Sequence, residues 1–146
     1  MPHWDQIFGS GGRAASAISL LSPGSTLHAY LEGGLDTNLI SKFGISVEQH
    51  PRSSGIILSY FHPLSRPHIQ PLTSEIIKQP NIEVNGDVVL RFGFLEGDSV
   101  IDARQAVFDP QTWLNPPAFR ENGSNAKELA IVLNELELRY ATGIND

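Results

Sequence analysis

Branched and aromatic residues gather in five short runs along this chain: "TLHAYLE" (26–32), "GIILSYF" (55–61), "DVVLRFGFL" (87–95), "RQAVFD" (104–109) and "LAIVLN" (129–134). Their lengths and β-branched content predict strands. Other stretches carry a helical signature. "GGRAASAISLL" is rich in Ala, Leu and Ser, "LDTNLISKFG" has apolar residues at 35, 39, 40 and 43 before Gly44, and "ELELRYATG" closes on Gly143. Strands alternating with helices predict an α/β layer fold with a largely parallel sheet. The proline-rich segments 62–71 and 109–125 read as irregular connections.

Composition narrows the class. One 146-residue chain with 40% hydrophobic and 18% charged residues is globular in balance, and no apolar run approaches the length of a membrane span. The opening "MPHWDQIFGSGG" has neither a basic start nor an apolar core, so no secretory signal is expected. Zero cysteines exclude disulfides, thiolate zinc sites and cysteine nucleophiles, which suits a cytoplasmic location. The net charge of −6 and the single spacing of the basic residues argue against nucleic acid as a partner.

In a parallel sheet, ligands collect beyond the carboxyl ends of strands. Those positions hold Gly33, Gly34, Glu96, Gly97, Asp98, Asp109 and Asn134. Small and acidic residues suit a ligand, and they equally suit ordinary turns. "GSGGRAAS" (9–16) places Gly11 and Gly12 near a helix start, where backbone N–H groups can meet a hydroxyl or anion, but it is neither a dinucleotide fingerprint nor a P-loop. Asn134 and Glu137 have the spacing of a capping box, and the same spacing sets an amide and a carboxylate on one helix face beside a phosphate or a hydrated ion. The histidines at 3, 28, 50, 62 and 68 form no HExxH motif, and His62 and His68 have no acidic ligand close in sequence. No GxSxG elbow is present.

Taken in order, "GSGGRAASAISLL", "LEGGLDTNLISKFGI", "AVFDPQ" and "NGSNAKELAIVLNELELRYATG" resemble the substrate-side portion of a PfkB, or ribokinase-like, carbohydrate kinase. The resemblance spans nearly the whole chain. It implies a three-layer α/β fold, incomplete at both ends, with residues 44–63 as a small β lid. It also implies that Gly11, Gly12 and Ser16 meet a sugar or nucleoside, with Ser16 standing where many members carry Asn. Asn134 and Glu137 would associate with phosphate and magnesium, Glu137 through water, and Asp109 would face the phosphate side. ATP and Mg2+ are the implied cofactors.

The family's first strand and its GxGD segment, which carries the catalytic base, have no counterpart here. The resemblance therefore implies a chain inactive alone, contributing to phosphorylation of a sugar or nucleoside hydroxyl in the intact enzyme. The alternative is a non-catalytic module that binds such a molecule. Either way no membrane partner is expected, and an exposed sheet edge would favour self-association.

Overall fold

A computed structural model describes residues 9–62, 65–112 and 116–144, so His3 lies outside the described residues. The chain divides into two compact units, Met1–Ile77 and Lys78–Asp146.

The first unit begins with helix α1 (Gly9–Ile18), followed by strand β1 (Thr26–Glu32), the single turn α2 (Asn38–Ser41) and strand β2 (Ser46–Arg52). β1 and β2 pair in parallel, Thr26 opposite Ser46 and Glu32 opposite Arg52. Side chains alternate across a strand. On one face Leu27 and Val47 pack against Ala15, Ile40 and Ile45, with Ile18 and Phe43 at the margin. The other face carries His28, Tyr30, Glu48 and His50. A second ribbon pairs β3 (Ile57–Ser59) with β4 (His68–Gln70) antiparallel, and a 3-10 turn follows at Thr73–Glu75.

The second unit stacks three strands in chain order, all parallel: β5 (Ile82–Phe92), β6 (Ser99–Asp109) and β7 (Asn125–Ile131). Ile82 lies opposite Ser99 and Asp102 opposite Asn125. Only six residues, 93–98, separate β5 from β6. That is far too few for a helical crossover, which takes about a dozen residues or more. The chain instead coils upon itself as a β-solenoid, each turn resting on the one before.

Burial shows how the coil bends. Ser99, Ile101 and Ala103 point inward at alternate positions, and then Ala106 and Phe108 do, so the alternation slips at Arg104 and Gln105. Strand pairing is interrupted at the same level, at Asp87, Arg104 and Lys127. This is a corner. Arg104 closes it from outside, donating through Nε to Asp87 Oδ1 at 2.6 Å and through Nη2 to Asp87 Oδ2 at 3.1 Å. The hydrogen bond from Arg104 holds the Asp87 carboxyl below its ordinary range.

Inside, Ile101, Ala103, Ala106, Phe108, Phe119 and Ala126 form one core cluster. Arg91 is buried beside it, its guanidinium 4.4 Å from the centre of the Phe108 ring. Arg91 Nη2 donates to Asp98 Oδ1 at 2.7 Å, and Nη1 donates to the Phe119 carbonyl at 3.1 Å and to Ser124 Oγ at 3.2 Å. Asp98 accepts in addition from Ser99 N and Asn122 Nδ2. A buried guanidinium is tolerable because hydrogen bonds and an anion surround it.

Helix α3 (Glu135–Thr142) follows β7. It ends at Gly143, whose φ of 68° lies in the left-handed region that glycine reaches without a steric penalty and lets its N–H bond the Arg139 carbonyl.

This architecture overturns the expected three-layer α/β fold. The chain is mostly β, its helices are short, and the second unit's sheet is a solenoid with no flanking helical layers among the described residues. The expected helix at 35–44 contracts to α2, and the candidate lid 44–63 supplies β2, paired with β1, and β3, paired with β4. The expected parallel pairing occurs, but without the helical crossovers that normally accompany it. No helix among the described residues is long and apolar enough to cross a membrane.

Candidate functional site

A depression of about 450 Å³ in the second unit is lined by Asp109, Gln111, Val132, Leu133, Asn134 and Glu137. Its position arises from the coil. Asp109 ends β6, residues 132–134 come directly after β7, and stacking one strand on the other brings both carboxyl ends to one wall. The Val132 amide continues the stacking by donating to the Phe108 carbonyl at 2.8 Å.

Each polar group in the wall has a defined setting. Asp109 Oδ1 accepts from the Gln111 backbone amide and Oδ2 from the Gln111 side-chain amide, both at 3.2 Å. This double contact holds Gln111 at φ 51°, a left-handed conformation uncommon outside glycine. Such strain persists where the surroundings over-determine it, commonly at ligand sites. Asn134 Oδ1 accepts from the Glu137 amide at 3.0 Å, and Glu137 Oε2 accepts from the Asn134 amide at 2.8 Å. This is a complete capping box, with Glu137 buried beneath it. The Asn134 amide nitrogen and the Asp109–Gln111 pair remain as the groups that can meet a ligand, beside the apolar surface of Val132 and Leu133.

The structure thus brings Asp109, Asn134 and Glu137 together. Gly11, Gly12 and Ser16 belong to the other unit. They lie within α1, Gly12 buried and Gly11 so near β1 that a Cβ there would stand 3.2 Å from Leu27 Cδ1. Close helix-to-strand packing accounts for the smallness of Gly11. Ser16 accepts, through its carbonyl, a hydrogen bond from Ser19 Oγ.

Sequence reasoning passed over Gln111, whose signal was its place two residues after Asp109, where an Asx-type turn forms. The absence of an HExxH motif also left His28 and His50 without a third ligand: with Glu48 they are 22 residues or fewer apart in sequence and become neighbours only through the β1–β2 register. Among the described residues they form a group of metal-ligating type, with one ligand atom from each inside 4.8 Å of the others. His62 and His68 join no such group among the described residues. No protein-family model, curated protein or solved structure matches this chain.

Proposed function

We propose that the Lys78–Asp146 unit is a non-catalytic binding module for a small polyhydroxylated molecule of the sugar or nucleoside class. The observation that carries this reading is the convergence of Asp109, Gln111 and Asn134 on one depression beyond the carboxyl ends of two stacked strands. Its size falls within the range of small-molecule sites, and its mixture of apolar wall and few polar groups is the usual composition of one. A carboxylate and two carboxamides offer both acceptors and donors to hydroxyls. Val132 and Leu133 offer a surface for the C–H face of a ring.

Phosphoryl transfer would require more than this wall supplies. Both Asn134 and Glu137 are engaged in the helix cap, and the three-layer frame of the ribokinase-like enzymes is not what the chain builds. ATP with Mg2+ therefore enters as a competing arm of the test. Saturation-transfer NMR on the full chain would screen simple sugars, nucleosides and Mg·ATP. The reading expects transfer to hydroxyl-bearing ligands, lost in Asp109→Ala and in Gln111→Ala. Signal that survives both substitutions, or that appears for Mg·ATP alone and depends on Glu137, would overturn it.

A further inference from the structure

We infer that the β1–β2 ribbon of the first unit binds a divalent transition-metal ion of the zinc class through His28, Glu48 and His50. This site lies in a different unit from the proposed ligand depression and does not depend on it.

The register builds it. His28 stands directly opposite Glu48, and His50 is two residues further along β2, opposite Tyr30, so all three side chains leave the same face of the ribbon. The opposite face is anchored by Leu27 and Val47 in the apolar cluster under α1 and α2, which fixes the backbone from which the ligands project. His28 and His50 are partly buried, their rings stacked with centroids 5.7 Å apart, and the Tyr30 ring stands edge-on to His50. Glu48 is exposed and free to adjust.

Distances decide between a hydrogen-bond cluster and a chelate. His50 Nε2 lies 3.5 Å from His28 Nδ1, and His28 Nδ1 lies 3.6 Å from Glu48 Oε2. Both exceed the span of a good hydrogen bond. Two donors each about 2.0 Å from a tetrahedral ion are separated by about 3.3 Å. These two separations are therefore close to the edges of a ligand tetrahedron, and the third pair, His50 with Glu48, lies within 4.8 Å. Two imidazoles with one carboxylate form a donor set that suits Zn2+, and also Ni2+ and Cu2+, whereas Mg2+ and Ca2+ favour oxygen. Three protein ligands leave a fourth position for water. Bridging β1 to β2, the ion would staple the only parallel pair described in this unit.

Isothermal titration with Zn2+, and visible absorption with Co2+ as a spectroscopic probe, test the site on the full chain. The expected result is one ion per chain, Mg2+ failing to compete, and affinity lowered at least about tenfold in His28→Gln, Glu48→Gln and His50→Gln, with His62→Gln and His68→Gln unchanged. Because a substituted ribbon could misfold, histidine ring resonances of the unsubstituted protein give a second reading: Zn2+ should move those of His28 and His50 and leave His62 and His68 in place. No binding, binding indifferent to all three substitutions, or ring shifts confined to other histidines would overturn the assignment.

Discussion

Replacing Asp98 by asparagine should cost the second unit more than removing the arginine it serves. Arg91 is almost wholly inaccessible, whereas the Asp98 side chain is 36% exposed. In Asp98→Asn the guanidinium remains buried without its anion, a change that costs about 3–5 kcal/mol where the partner is fully buried. The exposure of Asp98 places the expected loss near the lower end, about 3 kcal/mol. The hydrogen bonds worsen as well. With one oxygen kept for Arg91 and Ser99, the new NH2 faces Asn122 Nδ2, itself a donor.

Arg91→Met removes the charge and keeps apolar contact with Phe108. It strips the buried Phe119 carbonyl of its Arg91 donor, at about 2 kcal/mol, while Asp98 retains Ser99, Asn122 and solvent. In the double substitution no buried charge is left, so its stability should recover to near that of Arg91→Met alone, about 1 kcal/mol above Asp98→Asn. Amide hydrogen exchange at Ile101, Ala103 and Phe108 reads the second unit separately from the first. A loss below about 1 kcal/mol in Asp98→Asn, or a double substitution that simply adds the two single losses, would refute the network as described.

Other expectations rest on single contacts. Gly93→Ala would bring a Cβ into overlap with the Pro110 carbonyl, and urea unfolding should show a loss of about 2 kcal/mol or more, where an open position would show far less. Asn134→Ala removes the acceptor for the Glu137 amide and should cost about 1 kcal/mol, visible as reduced helical circular dichroism and faster exchange in α3. Because the folded Asp87 carboxyl is held below its ordinary value of 3.8 by Arg104, the pair's small contribution is present above that pH and lost as the pH falls through the folded value. NMR titration of Asp87 should therefore move upward in Arg104→Ala. Ile131 at the end of β7 and Val132 just beyond it are exposed, and β7 has no outer neighbour among the described residues, so sedimentation should reveal concentration-dependent association that Ile131→Lys abolishes.

How much of this was legible depended on how local the cause was. β1 matches the run 26–32, and α3 begins and ends where Asn134, Glu137 and Gly143 said it should, because strand-forming residues and helix caps act within a few positions. β6 begins five residues before the predicted 104, since its inward positions are Ser99, Ile101 and Ala103, two of them too small to stand out as apolar. β2 carries Glu48, Gln49, His50 and Pro51 and was hidden for the opposite reason: pairing with β1, not intrinsic preference, makes it a strand. The solenoid itself was masked because parallel pairing was equated with helical crossovers, while the short 93–98 connection held the contrary sign.

Asp109 and Asn134 stand at the ends of apolar runs and Glu137 three residues after Asn134, and the ends of stacked strands set all three along one depression. Gln111 needed the bent backbone after Asp109, and the histidine cluster needed a register that no single stretch encodes.

The most direct test of the binding reading is a protein-observed NMR titration with simple methyl glycosides and nucleosides. The account predicts that resonances of Gln111, Val132, Leu133 and Asn134 move together along one saturable curve, with the α1 residues Gly11, Gly12 and Ser16 unmoved. Movement centred on those α1 residues, or none at tens of millimolar ligand, would contradict it.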